Sequence, residues 1–357
     1  MRVLKALHPG ILGLGMGCGL CLSLFLSEVP VIKRLESRLQ DTLAVVQSPN
    51  APPTDDILLI EVEEQDLIGL PNEQTKYAAL AEHLIQKGAA VIVLNLLDNW
   101  ATESFESTYS PLQALVKAYK DQIVLVTPTI QSSLSTILEI ETYYHLLPPF
   151  VGDEIRSAYD VTEIQGFFEY ENNDKQVDSP ARIAHLYSNF LYNDPAYGQD
   201  VGEFKSAALL AFEKFQQRLH TDTSPKKHSF SASKLPIKFK FFGKAGTFPR
   251  LKFADVCVSG PNGSCADSSD GDITQKIQNK IIIIGFIAPE NNQKVFLPVA
   301  TPFGDTMPGI EVQANILAGL LANSVYQMSP RWLVQVVIMI GAVLISHLST
   351  FKYPQSF

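Results

Sequence analysis

A chain of 357 residues with a formal net charge of -9 and a pI near 5.3 lacks the positive field that binds nucleic acid or anionic lipid unspecifically, so no nucleic-acid partner is expected. Its length leaves room for one large or two modest domains with a proper core.

In chain order, the first feature is a window without formal charge at residues 6–27, and its counterpart near the other end covers residues 332–351. At about 1.5 Å per residue each reaches across roughly 30 Å of hydrocarbon. The expected layout is a cytoplasmic tail at 1–5, a transmembrane helix at 6–27, an extracytoplasmic domain at 28–330, a second transmembrane helix at 331–351 and a short cytoplasmic tail at 352–357. Two spans put both termini on one side; Arg2 and Lys5 choose the cytoplasm, and Lys33, Arg34 and Arg38 vote against them. No small-x-small site precedes Glu28 and Pro30, which favours a signal anchor over a cleaved signal peptide. Gly13 with Gly17 and Gly15 with Gly19 repeat the G-x-x-x-G spacing that lets another helix approach closely, either a second copy or the second span.

After Pro30, the apolar residues Ile32, Leu35, Leu39, Leu43 and Val46 recur every three or four positions, as in an amphipathic helix, and residues 48–53 break it. Residues 57–62 read as an apolar strand ending in Glu63, Glu64 and Asp66. Residues 77–86 follow as a helix stopped by Lys87 and Gly88, and residues 90–94 as a second buried strand. A βαβ unit results. Helix then strand repeat at 112–119 and 123–126, which predicts an α/β fold: a mainly parallel sheet, or a mixed one, with helices on both faces.

Residues 131–149 show no clear period. Residues 172–180 and 192–200 read as polar loops around 183–191, residues 204–219 as an amphipathic helix, residues 221–233 as a mobile loop and residues 237–242 as a strand. Residues 253–256 lead into a Gly/Ser/Asp-rich loop holding Cys257 and Cys265, which pair if the loop faces an oxidising compartment and are otherwise two free thiols. Ile281, Ile282, Ile283 and Ile284 form an unbroken β-branched run, the pattern of a central strand buried on both faces, and Gly285 gives it a tight exit. Turn residues at 301–304 and 307–309 precede a helix from Ile310 whose apolar positions continue to Leu321, shortly before the second span.

Glu63, Glu64, Asn95 and Asp98 fall at or beyond the carboxyl ends of two expected parallel strands, the edge at which α/β sheets take ligands. They are the first ligand-binding candidates, and solvated loop carboxylates are the alternative. Thr301 joins them as a residue of a pocket mouth or of a rigid turn. The His residues form no H-x-x-x-H or His/Cys cluster, so no metal is expected; no phosphate loop or G-x-S-x-G occurs, and no cofactor or catalytic residue is assigned.

The order of these pieces resembles the CHASE domain of type 2, an extracellular sensor module associated with cyclases and histidine kinases. The matching stretches are residues 57–66 (ILLIEVEEQD), residues 88–92 (GAAVI), residues 246–250 (GTFPR) with 253–256 (FADV), residues 280–285, residues 301–303 (TPF) and residues 308–315 (PGIEVQAN). Glu311 lies in the last of them and completes the ligand-binding candidates. Three places depart from the family's pattern: residues 70–74 (LPNEQ) stand where a Trp/Pro-rich turn ending in Arg is common, Asn95 where an Asp is usual and Gln313 where a His is usual. The resemblance implies a membrane-anchored sensor that binds an unidentified small molecule and signals to a cytoplasmic output, and it implies no enzymatic activity in this chain. Its expected partners are the lipid bilayer, the small-molecule ligand, and a second copy or a signalling protein met through the transmembrane helices. Two alternatives stay open: a membrane-tethered interaction module without ligand, and an extracytoplasmic hydrolase using the acids near Glu63.

Overall fold

The computed structural model describes residues 38–39, 41–43, 45–46, 48, 51–63, 66, 73–95, 111–127, 129–136, 139–146, 165–167, 183–194, 198–219, 237–259, 265–266, 272–287, 299–327, 336 and 340. The chain divides into two units, Ala44–Gln327 and a second made of Met1–Leu43 with Met328–Phe357. In the second unit the described residues are helical, and Thr42 Oγ1 donates to the Arg38 carbonyl at 2.9 Å. Among the described residues no helix is long and apolar enough to cross a membrane. The expected spans at 6–27 and 331–351 lie outside them, apart from Val336 and Ile340, and so do the G-x-x-x-G glycines and the loop at 221–233.

The first unit is built on an all-parallel, six-stranded sheet. Its strands are β1 (Ile57–Val62), β2 (Val91–Asn95), β3 (Ile123–Thr127), β6 (Gln165–Phe167), β11 (Arg250–Lys252) and β14 (Ile281–Phe286), in the order β11-β1-β14-β2-β3-β6. The isoleucine run forms the heart of it, with Ile281 and Ile282 at 0% exposure. β14 enters between β1 and β2, so the two strands of the expected βαβ unit are not neighbours. A strand from the far end of the chain separates them, which short-range periodicity cannot register.

Alternation along the strands sorts side chains onto two faces. Ile57, Leu59, Val91, Val93, Ile281 and Ile283 point to one face, where α3 (Ala207–Leu219) and α6 (Gly309–Leu321) pack with Phe212, Phe215, Ile316 and Leu320. Leu58, Ile60, Ile92, Leu94, Ile282 and Ile284 point to the other. There they meet α1 (Glu73–Gln86), α2 (Pro111–Ala118), α4 (Phe253–Val256) and α5 (Asp272–Ile277) through Leu80, Leu84, Leu115, Phe253 and Ile277. Such two-sided cover is what near-continuous apolar strands require. α1 stops at Gly88, whose φ of 90° lets its N–H close onto the Ile85 carbonyl at 2.9 Å while Ala89 N–H reaches Leu84.

Two smaller arrangements differ from the sequence reading. Residues 131–149 hold most of an antiparallel pair, β4 (Thr129–Thr136) with β5 (Glu139–Leu146), and the expected loop at 192–200 is largely β8 (Tyr187–Asp194) and β9 (Gly198–Lys205). The four make one sheet. Ladder hydrogen bonds define these strands, at positions where the sequence reading found no clear period or a polar stretch. The strand expected at 237–242 shrinks to β10 (Ile237–Lys238), flanked by β7 (Ile183–Ala184) and β17 (Tyr326–Gln327). Beyond it the backbone bonds to side chains instead of to a strand.

Two hairpin fragments complete the unit. β12 (Val258–Ser259) pairs with β13 (Cys265–Ala266), and a disulfide joins Cys257 to Cys265 with Cα atoms 4.8 Å apart. β15 (Val299–Ala300) pairs with β16 (Thr306–Met307) just before α6.

Candidate functional site

The carboxyl end of the sheet brings three residues of three adjacent strands into one row: Glu61 of β1 opposite Gly285 of β14, and Gly285 opposite Asn95 of β2. Each follows Leu59, Ile283 and Val93 by two positions, so the row lies on the face covered by α6. Gly285 is what lets the helix come down. A β-carbon there would stand 2.1 Å from Ile310 Cγ2, so any side chain would lift the first turn of α6 off the sheet.

The first turns of α6 carry polar residues into that close contact. Glu311 is fully buried and engages the loop at 243–250: its carboxylate accepts Gly246 N–H at 2.9 and 3.0 Å, Phe248 N–H at 3.4 Å and Arg250 Nη2 at 2.9 Å. Through its Nη1 the same guanidinium holds Glu61 Oε1 at 2.6 Å. One cation thus bridges β1, β11 and α6. Charge-assisted bonds of this length are the strong ones, and they set the loop where the short edge strand β11 can pair with β1.

Thr301 acts on the same loop at one remove. Its N–H bonds to the Asp305 carbonyl at 2.9 Å and its hydroxyl donates to Asp305 Oδ1, while Asp305 Oδ2 accepts Ala245 N–H at 2.8 Å. A turn later in α6, Asn315 is fully buried; its Oδ1 accepts Phe242 N–H at 2.9 Å and its Nδ2 donates to the Glu311 carbonyl at 2.8 Å. Asp305, Glu311 and Asn315 therefore satisfy the backbone of 242–248, which has left its strand pairing and must find acceptors elsewhere.

Asn95 and Gln313 are both buried, and Asn95 Nδ2 donates to Gln313 Oε1 at 3.2 Å. The other atom of the Asn95 amide, Oδ1, is buried with no hydrogen-bond partner. Two of the departures from the family pattern in the sequence, Asn95 and Gln313, are therefore hydrogen-bonded to each other here, amide with amide.

Of the expected ligand-binding residues, Asn95 meets α6 through Gln313, while Glu311 of α6 and Thr301, through Asp305, hold the loop at 243–250. Glu63 stands at the rim: its N–H bonds to Asp66 Oδ2 at 2.8 Å and its carboxylate takes Lys252 Nζ at 3.2 Å. That hydrogen bond and the charge of Glu63 hold the Lys252 ammonium above its ordinary pKa against an opposing desolvation, with smaller upward contributions from Asp255 and Glu61. Glu64 and Asp98 lie outside the described residues. Sequence reasoning passes over Glu61, Asp305 and the bridging role of Arg250. Glu61 is disguised as one more residue of an apolar strand, and Arg250 carried a signal only as the last residue of the GTFPR stretch.

A family model described as CHASE2 domain matches residues 17–348. The chain belongs to the CHASE2 family. Comparison with curated proteins and with solved structures found no match. CHASE2 domains are sensory extracellular domains, and in this CHASE2 chain the matched stretch reaches from inside the first charge-free window into the second.

Proposed function

We propose that the chain is a membrane-anchored extracytoplasmic sensor whose CHASE2 domain binds a small molecule at the carboxyl end of its sheet and passes the occupancy to its membrane-flanking ends. The observation that carries this reading is the family match, which runs from within the first charge-free window into the second and covers everything between them. The geometry supplies a route. Segment 237–250 is bonded at one end to the sheet edge, through Arg250 with Glu61 and Glu311. At its other end it takes both chain segments that lead toward the expected spans: Ser48 Oγ donates to the Phe242 carbonyl at 2.9 Å, and β10 pairs with β17. A ligand moves such a system only by binding one arrangement better than another, with coupling on the usual scale of about 1 to 3 kcal/mol.

The test is a thermal-unfolding screen of the full chain in lipid nanodiscs against fractionated metabolite pools. A ligand of the native state at 100 times its Kd adds about 2.7 kcal/mol, so at least one fraction should raise the midpoint measurably. If every fraction leaves the midpoint unmoved, the interaction-module reading takes precedence. One observation favours that second reading: Leu39 and Leu43, helical residues four positions apart, are 63% and 47% exposed.

A further inference from the structure

Within the site above, one polar atom has no use in holding the fold together. Asn95 is 3% exposed, its Nδ2 is spent on Gln313, and its Oδ1 faces no donor. A buried carbonyl oxygen left unpaired lowers stability, and native structures retain few such groups. The surroundings specify what would satisfy it. Glu61 lies in register with Gly285, and Gly285 with Asn95, so the two side chains flank the strand that carries none at this level. Glu61 and Glu311 together share the single Arg250 guanidinium, which leaves one carboxylate charge in excess at the same end of the sheet, one strand across from the neutral amide pair. An anion would meet that excess charge. A donor with positive charge would be drawn by it and would complete Asn95.

We propose, resting on the ligand-binding reading above, that Asn95 Oδ1 is the recognition point for an ammonium group of a small amine, with the Glu61–Arg250–Glu311 cluster supplying the field that selects cation over anion. Gln313 orients the amide: its Oε1 accepts Asn95 Nδ2 and so turns Oδ1 toward the incoming donor. The chemistry calls for both an N–H and a positive charge, and the two requirements separate experimentally.

The experiment uses the full chain in nanodiscs at fixed pH and ionic strength, with methylammonium and putrescine as probes, tetramethylammonium as a cation without N–H, and acetate as an anion. Thermal midpoints are measured for the wild type, for Asn95→Leu and for Asn95→Asp. The expected result is a midpoint raised by methylammonium or putrescine and not by tetramethylammonium or acetate. The shift should be abolished in N95L, and kept or enlarged in N95D, which retains the acceptor and adds charge. N95L loses both the unpaired Oδ1 and the bond from Nδ2 to the buried Gln313 Oε1, so its own midpoint without probe is the baseline from which its amine shift is read. Equal shifts with tetramethylammonium or acetate would overturn the proposal, as would an amine shift that survives in N95L. If N95L does not fold, loss of the amine shift in N95D overturns it instead. A wild type that responds to no amine also overturns it, and leaves the sensor reading to the metabolite screen.

Discussion

Glu311 decides how the loop before β11 is held, because both its oxygens accept N–H donors of that loop and no solvent reaches it. Replacing it by Gln removes the charge facing Arg250 and turns an amide N–H₂ toward backbone donors. Breaking one side of a buried pair costs several kcal/mol, and Arg250, about a third exposed, recovers part of that from water. Glu311→Gln should therefore lower stability by about 2 kcal/mol, read as a fall in the urea midpoint of the full chain, while Glu63→Gln should leave it unchanged. Equal effects would mean that Glu311 does not anchor the loop. The sequence carried Asn95 and Glu311 as candidates through their places at a strand end and in the PGIEVQAN stretch, and it could not show that Glu311 is engaged from within. That requires knowing that residues 246–250 return to the start of α6, a separation that no local pattern encodes.

At the scale of elements, the strands and helices of the parallel sheet were legible because burial on both faces writes itself as unbroken apolar runs and helical spacing. β1, β2, β3, β14, α1, α2 and α6 all fall within a few residues of their expected bounds. The pairs β4–β5 and β8–β9 were not legible, since antiparallel pairing is set by the ladder between the strands and residues 192–200 read locally as a polar loop. The same holds for the position of β14 between β1 and β2, which tertiary packing alone decides. The β12–β13 hairpin allows a test of the covalent framework. Cys257 is buried against the cluster that includes α1 and α4, and the bridge to Cys265 closes a loop with a sequence separation of 8. In the chain-entropy account a loop of this length contributes roughly 2 to 3 kcal/mol. Thiol labelling of the native chain without reductant should modify neither cysteine, and Cys265→Ser should lower the unfolding midpoint. Labelling of both cysteines would show that the bridge does not form in the mature protein.

For the whole molecule, the proposed sensor reading links a sheet edge, through residues 237–250, to the chain segments that lead out of the domain, and proposes that the domain lies outside the cell membrane. The family is sensory and extracellular; the side of the membrane on which this chain folds is the assumption on which ligand access, the oxidised cysteines and the direction of signalling all depend. The proposed arrangement rests on Arg2 and Lys5 at one end, against Lys33, Arg34 and Arg38, and on two expected spans returning the chain to the side on which it began. The most direct test is a pair of alkaline phosphatase fusions, one inserted at Thr223 within the domain and one at Phe357. The account predicts activity at Thr223 and none at Phe357; activity at Phe357 with none at Thr223 would reverse the topology and contradict the sensor reading.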